Sequence, residues 1–140
     1  MTFKRWFRKK YIIWKYKHNW NSTKLVVLKE NDRQYGLTYM LMKDCLEKGY
    51  TLFVRTETEK KRLAHEMYKC GQLGFVPVVT EQVAYEKYLL SVNDIRYDRC
   101  RGKRDLKVLV DNACNYDDIK LLHDERIQIV NGFIYVYIAA

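Results

Sequence analysis

Proline and glycine are scarce in this 140-residue chain, at one and six residues, which excludes collagenous, Pro/Gly-rich and low-complexity classes. No uncharged apolar run approaches the roughly eighteen residues that span a bilayer, so no transmembrane segment is expected. The four cysteines, Cys45, Cys70, Cys100 and Cys114, form no C-x-x-C pair and have no histidine at ligand spacing, which argues against zinc. The first residues lack the apolar core and cleavage site of a secretory signal. The expected compartment is therefore a cytoplasm, where the thiols stay reduced and act as small buried hydrophobes. G-x-S-x-G and H-E-x-x-H are also missing, and His18, His65 and His123 are scattered, so the familiar hydrolase and metalloprotease constellations are excluded.

Acid is absent where base is richest. Residues 1–29 carry nine Lys and Arg and no Asp or Glu, whereas residues 30–140 carry seventeen of each sign. With 48% hydrophobic residues, the chain has enough apolar material for one core. The expected organisation is a basic amphipathic arm over 1–20 and a neutral body over 21–140, the arm being drawn to polyanions.

Within 3–18, helical periodicity places Phe3, Trp6, Phe7, Tyr11, Ile13 and Trp14 on one arc, and Lys4, Arg5, Arg8, Lys9 and Lys15 on the other side. Those cations would neutralise phosphates, while Trp6, Tyr11, Trp14, Tyr16 and Trp20 would stack on bases or anchor at a lipid interface. The competing reading packs Phe3, Phe7 and Trp14 onto the body and leaves the lysines in water. Arg101, Lys103 and Arg104 form a second candidate nucleic-acid contact, although Asp98 and Asp105 flank them as in a solvated loop.

Beyond the arm, short β-rich runs alternate with helical spacing. Strands are predicted at 24–28, 51–54, 75–79 and 106–110, with 24–28 buried on both faces; helices are predicted from Thr38 to Gly49 and at 57–70, 81–90 and 117–123. Asn131-Gly132 between two apolar runs predicts a C-terminal hairpin. The fold class is α/β: a mostly parallel sheet flanked by helices, with a basic N-terminal helix and a C-terminal β-hairpin.

The loop after the first strand carries the chemistry. In LVVLKENDRQYGLTYML, Asn31 stands at the first position of G-x-x-x-x-G-K-[ST], Gly36 at the second glycine, Leu37 at the lysine and Thr38 at the hydroxyl. Arg33, Gln34 and Tyr35 precede Gly36 as in R-Q-x-G-K-T, and LKVLVDN (106–112) ends an apolar strand on Asp111. Across 24–123 the chain resembles a P-loop NTPase core of the viral packaging ATPase (terminase) and helicase type. The resemblance implies a phosphate cradle at Asn31, Arg33, Gln34, Tyr35, Gly36 and Thr38, and magnesium at Thr38 and Asp111 if a nucleotide binds. It also implies strands 24–28 and 106–110 as neighbours in one parallel sheet, with Asp111 near Thr38.

Two departures argue against turnover. Leu37 supplies no ammonium for the phosphates, and Asn112, where a catalytic Glu is common, accepts no proton from water. Phosphoryl transfer rests on charge placed around the phosphates, so no catalytic residue is assigned and little or no hydrolysis is expected. ATP with magnesium is at most a weakly held ligand.

The expected function is that of a degenerate, scaffold-like P-loop protein of viral type in the host cytoplasm, contacting nucleic acid through the arm. One alternative is an active NTPase or nucleotide kinase whose cation comes from Arg33, Arg55 or the loop 99–104. Another is a protein-interaction or membrane-surface module that inhibits a host factor. The plain structural alternative makes Gly36 a turn residue, Thr38 a helix cap and Asp111 a cap for the following helix or its own turn.

Overall fold

The computed structural model describes residues 2–22, 24–32, 35–74, 82–97, 106–111 and 114–135. Helix α1 (Phe3–Lys17) precedes strand β1 (Val26–Leu28), followed by α2 (Leu37–Lys48), β2 (Thr51–Val54), α3 (Glu57–Gln72), a 3₁₀ segment (Gln82–Tyr88), β3 (Leu89–Ser91), α4 (Val92–Arg96), β4 (Lys107–Val110), α5 (Tyr116–Asp124) and β5 (Gln128–Tyr135). The strands form one sheet in the order β1-β5-β4-β2-β3, and every pairing is parallel. The chain is thus α/β, as its alternating pattern implies.

Helix boundaries follow local chemistry. Thr2 caps α1 and Thr56 caps α3, each accepting a backbone N–H three residues on. Gly36 and Gly49 bracket α2 in left-handed conformation, at φ 73° and 75°, where a Cβ would be strained. Ser91 with Asp94 and Asn115 with Asp118 form reciprocal capping boxes for α4 and α5.

Connections from β1 to β2 and from β2 to β3 run one way across the sheet, and those from β3 to β4 and from β4 to β5 run back. Right-handed crossovers then put the helices on opposite faces. Two cores result. Ile12 and Tyr16 of α1, Leu41 and Cys45 of α2, and Leu63 and Met67 of α3 pack on one side. Val92, Ile95, Cys114 and Leu122 pack on the other with Phe53, Val108 and Val110. The direction of winding changes between β4 and β2, whose C-terminal ends carry Asp111 and Arg55.

Several expectations need correction. The C-terminal run is one strand rather than a hairpin: β5 passes straight through Asn131-Gly132, with a register shift opposite Val108 and Leu109. Asn131 is buried; its amide donates to the Tyr16 carbonyl at 2.8 Å, and its own side-chain oxygen accepts the Gly132 N–H at 2.9 Å. The extra residue at the register shift is Val130, and Gly132, at φ 146°, pairs with Val110 beyond it. Residues 136–138 of the predicted second arm lie outside the described residues.

Strands β1 and β4 share the sheet but are not neighbours, because β5 runs between them. As an edge strand, β1 is covered on one face only and exposes Val27. The helix predicted at 81–90 is instead a 3₁₀ segment leading into β3, since Leu89, Leu90 and Ser91 pair with Leu52, Phe53 and Val54. Helix α3 continues through Gly71, where a stop is predicted. The strand predicted at 75–79 falls outside the described residues.

Helix α1 is a built-in part of the first core rather than a separable arm. Ile12 and Tyr16 are buried, and the Tyr16 hydroxyl donates to Asp44 at 2.6 Å. Burial and the Asp44 carboxylate push the Tyr16 phenol far above its ordinary range. Asn19 ties the helix end to β5 through the Asn131 side chain at 3.1 Å.

Candidate functional site

The loop from Lys29 to Gly36 leaves the C-terminal end of β1 and delivers the chain into α2. Gly36 at the cap position makes no side-chain cap hydrogen bond to α2, and the first N–H groups of a helix carry partial positive charge. Thr38 lies in the first turn, and its hydroxyl donates to the Asp111 carboxylate at 3.2 Å. The two residues are 73 apart in sequence, and β1 and β4 are separated by two strand spacings, about 9.5 Å. The start of α2 spans that gap above β5.

Neither Thr38 nor Asp111 is the N-cap of a helix. The cap of α2 is Gly36, not Thr38. The cap of α5 is Asn115, not Asp111. Asp111 is buried at the end of β4, with its N–H bonded to the Phe53 carbonyl at 3.1 Å and its carbonyl accepting from Cys114 at 3.2 Å. A hydroxyl and a carboxylate held together are hard oxygen donors of the kind magnesium takes alongside substrate phosphates. Among the described residues no group of three His, Cys, Asp or Glu could hold a metal by itself, so a magnesium ion here would depend on phosphate oxygens.

Leu37 stands where the P-loop resemblance expects lysine. Leu37 has no charge, and its side chain is buried in the first core. Cations reach the loop instead from α1, a source that motif spacing does not reveal. The Arg5 guanidinium donates to the Asn31 carbonyl at 2.5 Å and lies 4.6 Å from the Tyr35 ring centre. Arg8 grips both oxygens of Asp32, at 3.0–3.2 Å, while the Lys29 N–H donates to the same carboxylate at 2.7 Å. Tyr35 is buried beneath, its phenol pushed up by burial and by Asp32 against the opposing charge of Arg5.

Thr2, Lys4, Arg5, Arg8, Lys29 and Asn31 line a cleft of about 470 Å³, closed by Asp32 and Tyr35. Four cationic side chains face one carboxylate there. Arg8 is paired with Asp32, and Lys4, Arg5 and Lys29 line the cleft beside that pair.

Of the predicted phosphate residues, Asn31, Tyr35, Gly36 and Thr38 are brought to one loop, whereas Arg33 and Gln34 lie outside the described residues, as does Asn112. Among the predicted nucleic-acid contacts, Arg5 and Arg8 face the loop, Lys4 and Lys15 are exposed, and Lys9 is half-buried. Arg101, Lys103 and Arg104 lie outside the described residues. Arg55 pairs with Asp118 at 3.8 Å. Arg62 of α3 feels Asp111: its guanidinium is held above its usual value first by the hydrogen bond to Glu59, with Asp111 adding to the effect. Buried Cys45 and Cys114 have thiols pushed up by burial, as expected of inert packing residues.

Comparison with family models, curated proteins and solved structures gives no match.

Proposed function

We propose that the chain is a P-loop-type α/β protein that holds a phosphate-bearing ligand at the β1–α2 loop without turning it over. The observation that carries the reading is the Thr38–Asp111 contact at 3.2 Å, which joins the two residues the motif resemblance pairs for magnesium. The basic cleft beside the same loop supports it, with Lys4, Arg5 and Lys29 among its lining residues. The ligand class is a nucleoside triphosphate with magnesium. Magnesium would neutralise phosphate charge there, while Thr38 and Asp111 hold it and the α2 N–H groups orient the phosphates.

Catalysis needs a cation that tracks the transferring phosphoryl group. Arg5 is already committed to the Asn31 carbonyl and the Tyr35 ring, so the site binds without accelerating hydrolysis. The protein would then act as a scaffold, in the manner of a degenerate relative of viral packaging ATPases.

Equilibrium binding of a fluorescent ATP analogue, with and without magnesium, tests this. Magnesium-dependent binding that weakens about tenfold in Thr38→Ala and Asp111→Asn, with no phosphate release, is the expected result; a tenfold change corresponds to about 1.4 kcal/mol. No binding, or binding indifferent to both variants, overturns it. Hydrolysis abolished by the same two changes would instead establish an active NTPase with a displaced cation.

A further inference from the structure

The face of α1 that looks away from the core carries the largest exposed apolar side chains of the N-terminal region. Phe3 is 76% exposed, Trp14 56% and Phe7 52%, with Trp6 and Tyr11 close behind. At 100° per residue these five fall within an arc of roughly 140°, opposite the arc of Ile12 and Tyr16 that enters the core. Exposed Lys4, Lys10, Lys15 and Lys17 lie within or beside the arc. No acid occurs in residues 1–29.

We propose that this outward face of α1 docks on an anionic lipid surface, lying in the plane of the interface. Charge complementarity selects the occupant: a lysine-flanked, acid-free face meets a negative headgroup layer, each near-surface lysine contributing about 1 kcal/mol. The rings select lipid over nucleic acid. Phe3 and Phe7 meet edge to face at 4.6 Å, and Trp6 turns onto Phe7 at 5.0 Å. Lys10 covers Trp6 and Lys15 covers Tyr11, both at 5.6 Å. Rings engaged with their neighbours make a convex apolar ridge rather than open stacking platforms along a groove. Such a ridge sinks into the boundary between headgroups and acyl chains while the lysine stems reach back to the phosphates.

Because Ile12, Tyr16, Arg8 and Asn19 already fix the helix on the body, docking does not have to fold it first, and that preorganisation lowers the cost of binding. No helix among the described residues is long and apolar enough to cross a membrane, so the contact is peripheral.

The test is co-sedimentation of the full-length protein with phosphatidylcholine vesicles, with and without phosphatidylserine, together with tryptophan emission. The expected result is pelleting and a blue shift with phosphatidylserine only. Affinity should fall about tenfold or more in a Phe3→Ala/Phe7→Ala variant, and in a separate Lys10→Glu/Lys15→Glu variant, each with an unchanged unfolding midpoint. Trp14→Ala serves as the single-site check should either pair shift that midpoint. Failure to pellet, or pelleting that survives loss of the aromatics, overturns the proposal. Salt-sensitive binding to single-stranded DNA in place of vesicles would also overturn it and give the face to nucleic acid.

Discussion

At Gly132, an added Cβ would lie 2.6 Å from the Val110 carbonyl oxygen and 2.8 Å from the Val110 Cβ, at a backbone φ of +146°. Neither contact is with a flexible side-chain end, so β4 and β5 would have to separate where Gly132 pairs with Val110. Gly132→Ala is expected to destabilise the fold by about 2–4 kcal/mol, combining overpacking with backbone strain. Urea unfolding measures it, and a midpoint equal to wild type would show that the two strands are not clamped there. The same residue shows where local sequence falls short. Asn-Gly between apolar runs signals a hairpin turn, but here distant partners keep the run one strand: Val110 pairs with Gly132, and the Tyr16 carbonyl accepts from Asn131. The nearness of Thr38 to Asp111 was legible through the motif resemblance. Arg5 and Arg8 were not, since their contacts with Asn31 and Asp32 span 26 and 24 residues and follow no motif.

Helix α1 presents two apolar faces, and periodicity sees only the stronger one. The aromatic arc dominates the pattern, yet the face that enters the core carries just Ile12 and Tyr16, set among Arg5, Arg8 and Lys9. Those arginines are neutralised or hydrogen-bonded by the β1–α2 loop, which a reading of the helix alone cannot anticipate. Energetics should separate the faces cleanly. Ile12→Ala removes a side chain that is 1% exposed and is expected to cost about 2–5 kcal/mol. Trp14→Ala, on the outward face, should stay within about 0.5 kcal/mol of wild type. Chemical denaturation of the two variants checks the assignment, and the reverse order would mean that the helix docks by its aromatic side. Elsewhere, strand and helix positions followed from apolar runs and caps wherever partners lay nearby in the pattern. The stretch 82–91 misled because Leu89 and Leu90 are strand by virtue of pairing with β2, a tertiary effect that overrides helical spacing.

For the whole molecule, the question is whether α1 and the sheet form one cooperative unit or a body with an appendage. Charge asymmetry suggested the appendage; packing supports the unit, because Ile12 and Tyr16 share a core with Leu41, Leu63 and Phe133, and the Tyr16 ring stacks on Phe133 at 5.1 Å. All three tryptophans, Trp6, Trp14 and Trp20, lie in or just after α1, with Trp20 partly buried against the same core. Intrinsic tryptophan emission therefore reports on the N-terminal helix, while far-ultraviolet circular dichroism averages over every helix and the sheet. If α1 unfolds with the body, the two signals should trace one urea transition with a common midpoint, as for a two-state domain. An emission change completed at lower urea than the dichroism change would mean that α1 detaches first. That outcome would also weaken the membrane proposal, since a helix that leaves the body freely gains nothing from being held in place before it meets a lipid surface.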